Sequence, residues 1–442
     1  MKCDFVVEGR AVVCVDADFR VFEPGFVAVK DGAIAEVGPA SATSAWEPAR
    51  RLGGPGCLVM PGFVNTHTHI AMAAFRGACE DVEDRLTRVL FPMEKRLVDR
   101  KLVYEASRLC LAEMARSGTT CFADMYYFED EVARAAREAG LRCLLGETIV
   151  DFAAPDAAEP YGGLEYGRRF VEEWRGDGLV RPCLAPHAPY TVDGRHLGLA
   201  RDEAERLGVP LLIHLAEGER EADRFRASHG SVVKYLDSIG FLGPRVVAAH
   251  VIHVDAGDIA LLAERDVAVA HCPASNAKSG RPIAPAADMV AAGLRLGLAT
   301  DGPISGNGMD MQGIVGLHPK LQKLLARSRL PFGARDALRA ATLGGAEALG
   351  LGARTGSLET GKLADLITVD ADATNMVPNY DWYATIAYAM RPHNVRDVLV
   401  DGELVVDAGR VTGFDEEDAK AAMRDIERRC RGEIAELMGG LR

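Results

Sequence analysis

Along the middle of the chain, apolar runs of β type alternate with stretches of helical periodicity. Eight runs read as strands: Leu58 to His69, Thr119 to Tyr127, Arg142 to Asp151, Val180 to Tyr190, Val209 to Glu217, Val246 to His253, Val267 to Asn276 and Arg295 to Gly302. Between them, Tyr104 to Arg116, Glu129 to Ala139 and Ala256 to Glu264 place apolar residues at helical spacing. Ser117-Gly118, Gly140 and Gly208 stand where helix C-termini are capped, just ahead of the next strand. A strand-helix rhythm repeated eight times predicts an α/β chain with a parallel sheet covered by helices, closed as a (β/α)8 TIM-type barrel.

The two ends have a different pattern. Asp4 to Val15 and Phe26 to Val37 are short strand-like segments, the second split by the turn dipeptide Asp31-Gly32. Leu363 to Val369 and Val398 to Val406 repeat this style, the latter split by Asp401-Gly402. The ends are therefore expected to pair into a small β-sandwich domain made of residues 1–56 and 355–415, around a barrel of residues 57–354. Residues 416–442 contain a polar amphipathic helix, expected to pack as an appendage.

A length of 442 residues accommodates this layout at ~100 to 200 residues per domain. Apolar residues make up 48% and charged residues 26%, which excludes a disordered or collagen-like chain. With 51 basic and 64 acidic residues the formal charge is -13, and no basic block interrupts the balance, so nucleic acid is not an expected partner. Acidity also serves solubility alone. No apolar run reaches the ~18 residues of a membrane span, and Met1-Lys2-Cys3-Asp4 does not open a signal peptide, so no membrane and a cytoplasmic location are expected. Ten cysteines without C-x-x-C spacing fit reduced thiols.

In a barrel of this type, function gathers at the C-terminal ends of the strands. Those ends carry His67 and His69, Asp124, Glu147, His187, His214 with Glu217, His250, His271 and Asp301, including six of the eleven histidines. His67 and His69 lie two apart on one strand and share a face. With His214 and Asp301 they make a set of three imidazoles and one carboxylate, suited to zinc first and to iron or manganese next, with a position left for water. Such an ion makes hydroxide available near neutral pH. Glu217, three residues past His214, can move a proton without being a ligand, and His250 can stabilise developing charge. His253 reads as structural.

These residues resemble the amidohydrolase superfamily in its cytosine-deaminase-like branch. The likeness rests on Met60 to His69, on His214-Leu215-Ala216-Glu217, on His271 to Asn276, on Thr300-Asp301-Gly302 and on Gly356 to Leu366, and it covers nearly the whole chain. Phe75-Arg76-Gly77, Phe91-Pro92-Met93-Glu94 and Pro186 to Tyr190 make the chain most similar to the 5'-methylthioadenosine/S-adenosylhomocysteine deaminases. The resemblance implies one ion held by His67, His69, His214 and Asp301, Glu217 and His187 on the purine, and Glu94 on the ribose hydroxyls. It also implies that Asp301 accepts a proton from the attacking water and Glu217 relays one to the ring.

The chain departs from that group in two places. Arg85 stands near the position of a tryptophan, and the third strand continues Leu145-Gly146-Glu147-Thr148 where an arginine binds a substrate carboxylate. Whether Arg85 and Glu147 touch substrate stays open at this stage. The expected reaction is metal-dependent hydrolytic deamination of an aminopurine nucleoside of the 5'-methylthioadenosine, 5'-deoxyadenosine, adenosine or S-adenosylhomocysteine type, with an uncharged 5' group preferred; the expected partner is this small-molecule nucleoside, and a homo-oligomer is compatible with the sequence. The alternatives are a guanine or 8-oxoguanine deaminase, a triazine hydrolase, or a non-enzymatic binding barrel; the last would be signalled by loss of a ligand, and none is lost.

Overall fold

The computed structural model of the chain describes residues 1–82 and 85–439. Eight parallel strands follow one another in sequence order: Phe63–Thr68, Thr119–Tyr126, Arg142–Ile149, Val180–Pro186, Leu211–Leu215, Val246–His250, Ala268–His271 and Arg295–Leu298. Nearly every residue in them is buried, because side chains on one face enter the barrel and those on the other meet the helices. The interior is filled by small and medium residues, including Cys121, Ala123, Leu144, Ala185, Leu212, Ala249 and Ala270, and Ala346, Ala348 and Leu349 from the helical segment after the eighth strand join the same cluster.

The first and eighth strands are joined by side chains as well as backbone. Thr66 Oγ1 donates to the Leu298 carbonyl at 3.0 Å, Asn65 Nδ2 donates to Thr300 Oγ1 at 2.7 Å, and the Asp301 amide donates to the His67 carbonyl at 3.1 Å. Gly297 makes this approach possible, since a Cβ there would fall 2.2 Å from Thr66 Cγ2. The seam thus brings Asp301 against the strand that carries His67.

Both chain ends enter a second sheet of nine strands. Its centre is Glu47–Pro61, parallel to Lys2–Val13 on one side and antiparallel to Leu366–Asp370 on the other. Both turn dipeptides behave as read: Asp31-Gly32 and Asp401-Gly402 have positive φ at each residue, as tight hairpins require. Arg142 at the base of the third barrel strand joins the units, donating to Asp365 at 3.0 and 3.2 Å in a pair almost fully removed from water.

Several strand expectations change: Val180 to Tyr190 ends at Pro186, Val209 to Glu217 narrows to Leu211–Leu215 and Val246 to His253 ends at His250, because the polar residues that follow belong to the loops at the mouth. Leu58 to His69 is not one strand: Leu58–Pro61 pairs with the C-terminal half, the chain turns at Gly62, and the barrel strand starts at Phe63. The seventh strand stops at His271 because Pro273 opens a short helix, Pro273–Lys278. The eighth stops at Leu298, three residues short of Asp301. The terminal helix Glu416–Gly439 lies on helix Arg100–Arg116, tied by Arg429 to Asp99 at 2.7 Å and Arg116 to Glu416 at 3.0 Å. Among the described residues no helix is long and apolar enough to cross a membrane.

Candidate active site

The C-terminal mouth of the barrel brings His67, His69, His214 and Asp301 together. One ligand-type atom from each of His67, His69 and His214 lies within 4.8 Å of the others, and Asp301 Oδ1 is 3.5 Å from His69 Nε2 and 3.9 Å from His67 Nε2. All four residues are buried.

Their orientations are held from behind. His69 Nδ1 lies 2.6 Å from the Met125 carbonyl and His214 Nδ1 lies 2.8 Å from the His187 carbonyl, so each Nδ1 carries the proton and each Nε2 presents a lone pair. His67 Nε2 is buried without a hydrogen-bond partner. Asp124 accepts from the Ile70 amide at 2.7 Å and from the Thr68 hydroxyl, which fixes the turn after His67. Ser275 Oγ donates to Asp301 Oδ2, and the Gly302 amide donates to Oδ1 at 2.6 Å.

Electrostatics favour the ligand forms. Burial, reinforced by the neighbouring imidazoles, holds His67 well below the ordinary histidine range and His214 at about 4, so both are neutral near pH 7. Burial alone would raise Asp301, but His250, His69 and the Ser275 hydroxyl outweigh it and keep the carboxyl below its usual value. Neutral imidazole nitrogens with an unmet lone pair and one carboxylate fit a divalent metal ion.

The backbone at the mouth is strained. Ala216, His250, Val251 and Asp301 have φ values of 51°, 72°, 50° and 64°. Left-handed conformations at such residues cost about 1–3 kcal/mol each and collect at functional sites. Here they turn the chain sharply where His214, His250 and the eighth strand end.

Three further groups border the histidine cluster. Glu217 Oε1 lies 3.4 Å from His250 Nε2, and His250 Nδ1 is 2.9 Å from Asn276 Oδ1. His187 packs against His214 with ring centroids 4.7 Å apart, its Nδ1 2.8 Å from Thr191 Oγ1. Glu94 is buried on the Tyr126 side, where Oε1 accepts from the Tyr126 hydroxyl at 2.8 Å. Burial pushes the Glu94 carboxyl up to about 8, against the downward pull of that hydrogen bond.

Other strand-end residues stand apart. Glu147 is buried towards the helix layer, accepting from the Glu129 amide at 3.1 Å. His271 packs on His318 with ring centroids 5.0 Å apart. Arg85 donates to the Ile304 carbonyl at 3.0 Å, beside Glu80 at 3.7 Å, so it ties the loop after the first strand to the loop after the eighth. His253 is partly exposed, its amide donating to the Ala216 carbonyl at 2.9 Å.

Arg281 was not anticipated from sequence. Its Nη1 donates to Glu217 Oε1, and together with His250 it outweighs the burial that would raise Glu217, holding that carboxyl well below the usual range. The residue sits beyond a short helix, so no strand pattern marks it. Its position eight residues after the Pro273 helix start, facing the carboxylate of Glu217 in the loop after the fifth strand, follows only from the fold.

Residues 58–405 match the amidohydrolase family, and the chain belongs to that family. The chain is 40% identical over 431 residues, 97% of its length and 98% of the relative's, to a 5-methylthioadenosine/S-adenosylhomocysteine deaminase of Syntrophobacter fumaroxidans. It is 36% identical over 432 residues, 96% of this chain and 98% of the other, to a 5'-deoxyadenosine deaminase of Methanosarcina acetivorans. Its fold superposes with a TM-score of 0.95 on an adenosine deaminase from Xanthomonas campestris with bound zinc, at 34% identity, covering 98% of this chain and 99% of that one.

Proposed function

We propose that the protein is a metal-dependent deaminase of aminopurine nucleosides, converting an adenosine analogue and water to the inosine analogue and ammonia. The observation that carries this reading is the convergence of His67, His69, His214 and Asp301 beside Glu217 and His250, in a chain similar over nearly its full length to deaminases of such nucleosides.

In this reading His67, His69, His214 and Asp301 hold one zinc ion. When bound, such an ion lowers the pKa of water towards neutrality. Asp301, an anion held by Ser275 and the Gly302 amide, accepts a proton as water attacks the amine-bearing carbon. Glu217 carries the other proton of that water to the adjacent ring nitrogen, and Asp301 passes the proton it took to the amine, which departs as ammonia. His250, with Nδ1 donating to Asn276 Oδ1, stabilises the charge that develops at the attacked carbon's oxygen when Nε2 also carries a proton, and presents a lone pair there when it does not. His187 meets the purine edge, and Glu94 meets the two ribose hydroxyls. Glu147 and Arg85, each engaged elsewhere, take no part in binding the 5' substituent.

The test is ammonia release by the zinc-loaded protein from 5'-methylthioadenosine, 5'-deoxyadenosine and adenosine. Turnover of these nucleosides, lost on chelation and restored by zinc, is the expected result.

A further inference from the structure

A second group of ligand-type side chains overlaps the first. One ligand atom from each of His67, His250 and Cys272 lies within 4.8 Å of the others, as in the group of three histidines described above. All three are buried. Among the described residues, Cys272 is the one cysteine found in any such group, although all ten cysteines are free and buried.

Two observations point to a ligand rather than to packing alone. His250 Nε2 is buried without a hydrogen-bond partner, while its Nδ1 is already committed to Asn276, so the unmet atom is the one available to a cation. Cys272 Sγ directs its proton at the Ala270 carbonyl 3.7 Å away and accepts from the His250 backbone amide, a bond that a thiolate accepts more strongly than a thiol. Glu217 Oε1, 3.4 Å from His250 Nε2, stands as a fourth donor. Thiolate with imidazole selects thiophilic ions over magnesium or calcium.

We propose that Cys272, His250 and His67 form an inhibitory site for a thiophilic divalent cation, zinc in excess or cadmium, adjoining the productive metal set and sharing His67 with it. Binding forms a metal–sulfur bond and releases the Cys272 thiol proton to solvent. The consequence is twofold. One imidazole nitrogen serves one ion, so an ion at Cys272 draws His67 from the productive set. It also occupies His250 Nε2 and crowds Glu217, the two groups that handle charge and protons beside the substrate. The inference rests on the first set being the productive one, and it makes the enzyme responsive to free thiophilic metal.

The experiment is a cadmium titration of the zinc-loaded holoenzyme, read by nucleoside deamination and by near-ultraviolet thiolate-to-cadmium absorption, in the wild type, Cys272→Ser and Cys272→Ala. Loss of a partner behind a ligand typically weakens metal affinity ~10- to 100-fold, so loss of a direct ligand should raise the inhibitory cadmium concentration at least about tenfold. Both variants should keep wild-type activity without cadmium and show no thiolate band. Inhibition of the variants at the wild-type concentration, absence of the band in the wild type, or no inhibition of the wild type overturns the site. If one substitution prevents folding, the other carries the test. Failure of nucleoside turnover before any cadmium is added would instead count against the proposed reaction, and the absorption band would still report on Cys272.

Discussion

Glu217 and Arg281 form an ion pair at the barrel mouth, and the oxygen that Arg281 holds, Oε1, is the one 3.4 Å from His250 Nε2. A carboxylate proposed to move a proton is thereby fixed in rotation between a guanidinium and an imidazole. A charge-assisted hydrogen bond of this kind contributes about 1.5–3 kcal/mol. Arg281→Ala should lower kcat by roughly 10- to 100-fold with zinc content unchanged, and Arg281→Lys should recover part of the loss. Equal kcat in Arg281→Ala and wild type would remove this residue from the account.

Glu217→Gln keeps the size of the side chain and removes its capacity to carry a proton. General acid–base steps contribute ~10²- to 10⁴-fold, so kcat should fall on that scale while zinc still binds. Metal analysis alongside steady-state kinetics separates the two effects.

The state of Glu94 gives a pH prediction. Burial raises its carboxyl to about 8 in the free protein, so near pH 7 it is largely protonated, whereas gripping two vicinal hydroxyls as a charge-assisted acceptor calls for the anion. Substrate binding must then release a proton below pH 8, and KM for a nucleoside should fall as pH rises from 6 to about 8. The same group makes the free protein less stable as pH rises from the unfolded value of 4.5 towards about 8, because the folded state holds the proton more tightly. Glu94→Gln should flatten this limb of the KM profile, and Glu94→Ala should selectively damage nucleoside turnover. A KM profile unchanged in Glu94→Gln contradicts the assignment.

Arg142 and Asp365 bind the barrel base to the second sheet, with Thr355 Oγ1 at 2.8 Å and the Asp401 amide at 2.7 Å also donating to Asp365. Removing one member of such a buried pair leaves a charge without its partner, at a cost of about 3–5 kcal/mol. Asp365→Ala should therefore lower the urea midpoint markedly, and Arg142→Met in the same chain should recover much of it.

The barrel was legible because its strands are continuous apolar runs that end in polar residues, as at Val209 to His214 and Leu296 to Asp301. His67, His69, His214 and Asp301 stood out for the same reason, each being a polar side chain where a buried run stops. The division at Gly62 was not legible, because Leu58–Pro61 and Phe63–Thr68 are both apolar and only pairing with Leu366–Asp370, some three hundred residues away, assigns the first to the other sheet. Glu147 and His271 looked like mouth residues because alternation along a strand does not say which face turns inward. Arg281 was invisible for a different reason: it is a loop cation whose partner, Glu217, is distant in sequence.

The most direct test of the central claim is a comparison of kcat/KM by ammonia release from the zinc-loaded protein across 5'-methylthioadenosine, 5'-deoxyadenosine, adenosine, S-adenosylhomocysteine, guanine and an aminotriazine. The reading of Glu94 as a ribose contact, with Glu147 and Arg85 engaged elsewhere, predicts that the three nucleosides with uncharged 5' groups rank first. S-adenosylhomocysteine should follow, and guanine and the triazine should be far behind. Faster turnover of guanine or the triazine than of any adenosine analogue would contradict the proposed function while leaving the metal-binding cluster in place.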